Sequence, residues 1–255
     1  MTIDDTLESK RITRRAALGL LGAAASLPLA RDAGGLAMAE VGGLAERART
    51  TLAAPAAKPL PFDPKRLAGL SERLLVSHHA NNYTGAVKRL GAIEAQIAAL
   101  PHDAAPFQLG SLKREALIAT NSLRLHELYF GNLGGSGLGD GPFSALARTQ
   151  FGSVAAWEHD FRLTGLALAG GSGWVIATWD AERGALHNIW AWDHMHGLAG
   201  GVPLLVMDMY EHSYHMDYGT DARAYIDAFF ANLRGSEVDR RLGTSRGGPQ
   251  PGERS

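Results

Sequence analysis

The sequence predicts an α+β protein in which an N-terminal helical hairpin precedes an α/β domain with a three-stranded antiparallel sheet flanked by helices. Apolar residues recur at spacings of three and four over two long segments, 71–100 and 111–133, which is the period of an amphipathic helix. Three short runs rich in β-branched and aromatic residues follow later in the chain, at 173–180, 185–193 and 202–210. Such runs are typical of strands.

Each of the two predicted helices carries a histidine among its apolar residues. His78 lies on the stripe of the first helix, together with Leu74, Leu75, Ala86, Leu90, Ile93, Ile97 and Leu100. His126 lies on the stripe of the second helix, together with Leu117, Ile118, Leu123, Leu128 and Tyr129. The sequence PHDAAP breaks the helical pattern between them. We expect the two helices to pack antiparallel, which would bring the two histidines together.

A glycine-rich segment, GGSGLGDGP at 134–142, separates the two halves of the chain. We interpret it as the boundary between an N-terminal helical hairpin domain, 57–142, and a C-terminal α+β domain, 143–235. Within the second domain, a turn at 181–184 joins the first two predicted strands into a hairpin.

Helices complete the second domain. Residues 143–170 predict two helices separated near Gly152, and residues 221–233 predict a closing helix with Asp221 as its N-cap. Residues 236–255 are rich in polar side chains, glycine and proline, and we expect them to form a tail without order.

The N-terminus has the layout of a secretory signal peptide, over residues 1–39. A basic start precedes an uncharged run at 16–30, which is too short to span a bilayer because spanning takes about 20 residues. The small-residue sequence AMA follows, and the pair Arg14-Arg15 resembles a twin-arginine signal. We expect export to the periplasm without stable membrane insertion, with residues 40–56 as a linker. The alternative is a short N-terminal helix of the mature protein.

Composition limits the chemistry that the chain can perform. The 255 residues include no cysteine, which excludes disulfides, thiolate metal sites and thiol nucleophiles. The formal net charge of −1 does not indicate nucleic acid as a partner. The sequence also lacks a phosphate-binding glycine loop with its lysine, a Gly-x-Ser-x-Gly elbow and a His-Glu-x-x-His pair. A metal site in this chain would therefore use nitrogen and oxygen ligands.

The strongest candidate for such a site is MDMYEHSYHMDYG at 207–219. Asp208 leaves a strand that we expect to be buried, and His212 follows four residues later. Each residue could be structural, because Asp and His also cap strand-to-helix junctions and buried histidines are usually hydrogen-bonded. A shared metal would explain both residues together with His78 and His126. Imidazole and carboxylate ligands suit iron or manganese, and zinc is an alternative.

These segments resemble the iron/manganese superoxide dismutases over about residues 57–240. DMYEHSYH is similar to the family signature Asp-x-Trp-Glu-His-Ala-Tyr-Tyr, and LPFDPKRLAGLS, HELYF, GSGWVIA and DARAYIDAFFANL are similar to other family segments. The resemblance implies dismutation of superoxide to dioxygen and hydrogen peroxide. It implies one iron or manganese ion per subunit, with the ligands His78, His126, Asp208 and His212. It also implies a homodimer or larger homo-oligomer, with Glu211 at the interface.

The chain departs from the family pattern beside the metal. The family's gate tyrosine falls on Ala86, and Tyr83, from the previous turn, is the predicted substitute. A family glutamine that contacts the metal-bound solvent is also missing. Ser122 occupies one of its two places. We predict that His194 replaces it from the other place, with His196 as the alternative, because an imidazole N–H donates a hydrogen bond as an amide does.

Two alternatives remain open on the sequence alone. His79 competes with His78 as the first ligand, and the helical phase favours His78. The missing tyrosine and glutamine also allow a second function, that of a non-dismutating metal-binding relative serving as a binding or structural module of the cell envelope. A zinc-dependent hydrolase is a third reading, although no general base is evident near the ligands.

Overall fold

The computed structural model describes residues 54–247, and their N-terminal half consists of long helical segments. Ser71 caps the first helix by accepting a hydrogen bond from the N–H of Leu74 over 3.1 Å. Pro106 begins the longest helix, where its missing N–H costs nothing. After a 3₁₀ turn at Pro64–Arg66, the segments are α1 (Glu72–Ser77), a π-helical turn (His78–Tyr83), α2 (Thr84–Ala98) and α3 (Pro106–Gly131). The predicted helical hairpin is confirmed.

The π-helical turn is a local feature that the sequence pattern did not predict, since the spacing indicated one continuous helix over 71–100. Residues five apart diverge in an α-helix, which has 3.6 residues per turn, but a wider turn returns them to the same side. His78 and Tyr83 are five apart, and both are buried, each with only 1% of its surface exposed. The turn therefore directs both side chains into the protein.

The C-terminal half begins with two helices, as predicted. Gly152 ends the first of them in the left-handed conformation, with φ at 82°. Ser153 caps the second by accepting a hydrogen bond from the N–H of Ala156 over 2.9 Å. The elements of this half are α4 (Pro142–Phe151), α5 (Val154–Leu166), β1 (Trp174–Asp180), β2 (Ala185–Ala191), β3 (Val202–Asp208), a 3₁₀ turn (Glu211–Ser213), α6 (His215–Tyr218), α7 (Ala222–Ala231) and α8 (Gly235–Ser245).

The three strands form one antiparallel sheet in the order β2-β1-β3. In the turn between β1 and β2, the Asp180 carboxylate accepts hydrogen bonds from the N–H groups of Glu182 and Arg183, each over 3.1 Å. At the other end of β1, Trp174 pairs with Asp208, the last residue of β3. This register fixes where Asp208 leaves the sheet.

Helix α3 connects the helical half to the sheet, since it packs against both α2 and β3. At its end, the Asn132 side-chain N–H donates to the Val206 carbonyl over 2.6 Å. The glycine segment then contacts the end of α7, where the Gly135 N–H donates to the Asn232 carbonyl over 3.1 Å. A Cβ at Gly135 would lie 2.3 Å from the Leu233 carbonyl oxygen, so the backbones approach too closely for a side chain.

Helix α8 corrects the prediction that residues 236–255 form a tail without order. Val238 and Leu242 are buried on its inner face. The Arg241 guanidinium is also buried and donates to the Leu204 carbonyl on β3 over 2.9 Å and to the Asn132 side chain over 2.6 Å. The sequence did not predict this helix because Val238 and Leu242 are the only two large apolar residues on its inner face. The buried Arg241 is polar and gives no sign of burial in the sequence.

The predicted signal peptide and most of the predicted linker lie outside the described residues, as do residues 248–255. Among the helices between residues 54 and 247, none has the length and hydropathy needed to cross a bilayer.

Candidate metal centre

Four side chains from four different elements meet between the helical half and the sheet. His78 begins the π-helical turn, His126 lies on α3, Asp208 ends β3, and His212 lies in the 3₁₀ turn that follows. We call these residues the four-residue cluster. One potential ligand atom from each lies within 4.8 Å of every other.

The Asp208 carboxylate lies at the centre of the cluster. Its Oδ2 atom is 3.2 Å from His78 Nε2, 3.7 Å from His126 Nε2 and 3.4 Å from His212 Nε2. All four atoms are buried, and none has a hydrogen-bond partner in the structure. Buried polar atoms are nearly always satisfied, so four unsatisfied atoms facing one another indicate a missing cation. The donor set therefore fits a metal ion held by nitrogen and oxygen.

Neighbouring groups orient these ligand atoms. The Nδ1–H of His126 donates to the Ser122 carbonyl over 2.7 Å, which leaves the Nε2 lone pair free for a metal. The second oxygen of Asp208 accepts from the N–H of Tyr210 over 2.8 Å. The Asp208 carbonyl accepts from the Tyr225 hydroxyl over 2.7 Å and from the Ser213 hydroxyl over 2.9 Å. Asp208 is thus held through its side chain and its main chain.

Burial and the carboxylate set the charge of the cluster in opposite ways. Burial lowers the pKa of His126 to about 3 and also lowers the pKa of His78, so both imidazoles stay neutral. Burial alone would raise the pKa of Asp208, but His212 and His78 hold it below its usual range. Burial opposes protonation of His212 as well, yet the nearby Asp208 raises its pKa. His212 differs from the other imidazoles because 29% of its side chain is exposed.

Two further sequence-predicted residues lie away from the ligand atoms. The Tyr83 hydroxyl accepts from the Lys58 N–H over 2.8 Å and donates to Glu127 over 3.1 Å, and its ring centroid lies 6.4 Å from that of His126. Its role as a substitute for the gate tyrosine stays a prediction. His79 is not part of the cluster, since its Nε2 bonds the Lys58 carbonyl over 2.8 Å.

His194 lies next to the cluster, and its role as a replacement for the glutamine stays a prediction. Its ring stacks on Tyr210 with centroids 4.9 Å apart and lies 6.4 Å from the ring of His126. His196 contacts Trp192 and Asp193 instead, with its Nδ1 2.7 Å from the Asp193 carboxylate. Between the two candidates, the contacts favour His194.

Sequence reasoning missed two residues that support the site, Trp174 and Tyr225. Trp174 donates a hydrogen bond to His194 over 2.9 Å, and Tyr225 supports Asp208. Both lie in segments that resemble the family, GSGWVIA and DARAYIDAFFANL, but nothing in those segments indicates which side chain they support. Their roles depend on strand register and helix packing.

The fold and the cluster together define a class of protein: an α+β protein with a mononuclear metal centre of three imidazoles and one carboxylate. Residues 140–241 match the family model described as iron/manganese superoxide dismutases, C-terminal domain. The sequence is 54% identical over 186 residues to a superoxide dismutase [Fe] of Cupriavidus metallidurans, covering 72% of this chain and 94% of the relative.

More distant relatives carry either metal in their names. A superoxide dismutase [Mn] 1 of Halobacterium salinarum is 32% identical over 193 residues, covering 72% of this chain and 92% of the relative. A superoxide dismutase [Fe] of Aquifex aeolicus is 30% identical over 195 residues, covering 70% and 87%. The chain belongs to the iron/manganese superoxide dismutase family.

The low pKa of His126 makes a prediction for the metal-free, full-length protein. The unfolded chain binds a proton on this imidazole near pH 6.5, whereas the folded chain does so only near pH 3. Protonation therefore favours unfolding, and we expect stability to be lost as the pH falls from about 6.5 toward about 3. His78 acts in the same direction and His212 in the opposite one. Urea midpoints across this range should fall less steeply for His126→Gln, and identical slopes would contradict the assignment.

Proposed function

We propose that this protein dismutates superoxide to dioxygen and hydrogen peroxide, with one iron or manganese ion per subunit held by the four-residue cluster. The observation that carries the proposal is the set of four buried ligand atoms without hydrogen-bond partners, all within 4.8 Å of one another. Membership of the family supports the same reaction. No observation on residues 54–247 favours the alternative of a non-dismutating envelope module.

The metal ion and the residues that would hold it have different roles in this reaction. A bound iron or manganese ion supplies one-electron chemistry, so that one superoxide is oxidised to dioxygen and a second one, with two protons, is reduced to hydrogen peroxide. Asp208 would contribute the one negative charge among the ligands, and His78 and His126 would hold the ion as neutral imidazoles. With an iron or manganese ion held by three imidazoles and one carboxylate, the site would carry net positive charge, which would attract an anionic substrate.

The approach to the site runs past His212, the most exposed residue of the cluster. A surface recess beside it is lined by Ser77, Asn82, Glu211, His215 and Met216. The other three ligands are buried almost completely. We therefore place substrate entry on the His212 side.

The ligand assignment predicts the effect of four substitutions. His78→Ala, His126→Ala, Asp208→Ala and His212→Ala should each sharply reduce the metal content of the purified protein and its consumption of superoxide. His79→Ala is the matched control, because its neighbour in sequence belongs to the cluster and His79 does not. Metal content by mass spectrometry and superoxide decay by pulse radiolysis check the prediction. A variant that keeps wild-type metal would remove that residue from the site, and wild-type protein that binds metal without turnover would overturn the function.

We further propose that His194 replaces the family's glutamine as the hydrogen-bond donor beside the metal. Its position next to His126 and Tyr210 supports this role. His194→Ala should keep its metal but lose about 10- to 100-fold in turnover, the usual cost of removing such a partner. His196→Ala is the control and should retain turnover. Turnover unchanged in His194→Ala would exclude the role.

We propose a homodimer or larger homo-oligomer in which Glu211 lies at the interface. Glu211 is exposed and sits in the recess beside His212, which suits a contact between subunits that involves the site. Glu211→Ala should weaken association in sedimentation velocity and lower the metal content. Glu182→Ala, an exposed glutamate in the β1–β2 turn, should change neither. A Glu211→Ala protein that stays dimeric with full metal content would refute the proposal.

We propose export of the protein to the periplasm through the twin-arginine route. The pair Arg14-Arg15 ahead of the uncharged run supports this proposal. Residues 1–45 fused to a reporter should carry it out of the cytoplasm, and the double variant Arg14→Lys with Arg15→Lys should retain it there. Export that survives the double substitution would rule out the twin-arginine route.

A further inference from the structure

The hydrogen bond between Trp174 and His194 has a fixed direction. The Trp174 Nε1 atom lies 2.9 Å from the Nδ1 atom of His194. An indole N–H can only donate, so His194 Nδ1 must accept the bond through its lone pair. Trp174 has no exposed surface, which means that water does not compete for its N–H.

The accepted bond determines where His194 carries its proton. A neutral imidazole has one N–H and one lone pair, so a lone pair on Nδ1 requires the proton on Nε2. Burial lowers the pKa of His194, which favours the neutral ring. The Nε2–H group is then the only donor that the ring offers to its surroundings.

Two other elements restrain the same residue. The side-chain N–H of Asn121, on α3, donates to the His194 carbonyl over 2.6 Å and holds its main chain. Tyr210 lies parallel to the ring at 4.9 Å and also stacks on His212 at 5.3 Å. Contacts from Trp174 on β1, Asn121 on α3 and Tyr210, the second residue after β3, therefore set the ring's position.

We infer that Trp174 is a positioning residue that fixes the orientation and tautomer of His194, so that His194 presents an Nε2–H donor to the metal centre. The inference rests on the proposed function, because the donor has a use only beside a bound ion. The inference adds that His194 can serve in place of the family's glutamine because Trp174 fixes which of its nitrogens carries the proton. A glutamine side chain could satisfy the same neighbours, since its carbonyl would accept from Trp174 and its N–H would remain the donor.

Nitrogen NMR of the full-length protein tests the inference directly. The protein is labelled with ¹⁵N at histidine and tryptophan and loaded with zinc, a diamagnetic substitute for iron or manganese. We expect a scalar coupling across the hydrogen bond between Trp174 Nε1 and His194 Nδ1, with the proton on Nε2. His194→Gln identifies the His194 signals. A proton on His194 Nδ1 in the wild-type protein would overturn the inference.

Substitution of Trp174 tests whether this residue sets the orientation and tautomer of His194. Trp174→Phe should remove the coupling, give a second population of His194 signals, and lower turnover of the iron- or manganese-loaded protein about 10- to 100-fold at unchanged metal content. Trp190→Phe is the matched control, because it removes a half-exposed indole from β2. His194 signals and turnover unchanged in Trp174→Phe would refute the positioning role.

A second pair of variants decides the matter if Trp174→Phe does not fold. His194→Gln should keep the Trp174 N–H signal at its hydrogen-bonded position and retain most of the turnover, whereas His194→Leu should lose both. Equal behaviour of the two variants would contradict the inference. Loaded wild-type protein without dismutation would refute the proposed function, yet the NMR signals would still report the tautomer.

Discussion

The buried carboxylate of Asp208 is the constraint on which the rest of the structure depends. A charge taken out of water costs several kcal/mol unless it is paired. The Asp208 Oδ2 atom has no hydrogen-bond partner among residues 54–247 and faces three imidazole nitrogens. A cation bound between them removes this cost. The buried carboxylate is therefore most stable with a cation bound beside it. The hydrogen bonds that Tyr225 and Ser213 donate to the Asp208 carbonyl keep the residue in place.

Stacked aromatic rings connect the four-residue cluster to side chains that lie beside it. His126, His212, Tyr210 and His194 form a series of nearly parallel rings with neighbouring centroids 4.9 to 6.0 Å apart. Desolvation, together with the nearby Asp208 charge, raises the pKa of Tyr210 to about 12, so the phenol in this series stays protonated. A shift of one ring would disturb the next. A side chain that makes no contact with the ion can therefore still affect its environment.

Local sequence patterns predicted the members of the four-residue cluster because each lies where a short pattern places it. His78 and His126 fall on apolar helical stripes, and Asp208 with His212 follows a buried strand. The same reasoning predicted the sheet and the hairpin turn. It failed where the outcome depends on contacts between distant segments. Trp174 contacts His194 only because the loop after β2 folds back toward β1. Helix α8 is stabilised by the buried Arg241, and a pattern of apolar and polar residues does not distinguish a buried arginine from an exposed one. The π-helical turn escaped prediction because one widened turn hardly changes an apolar pattern.

Arg241 has a consequence for the order in which the site forms during synthesis. Its guanidinium joins the end of α3, through Asn132, to β3, through the Leu204 carbonyl. These two elements carry His126 and Asp208, yet the arginine that ties them together follows every ligand along the chain. During synthesis His78 and His126 therefore precede Asp208 by more than 80 residues. The Arg241 contacts that hold α3 and β3 together form last. The contact that joins α3 to β3 through Arg241 can consequently form only after all four members of the cluster have been synthesised.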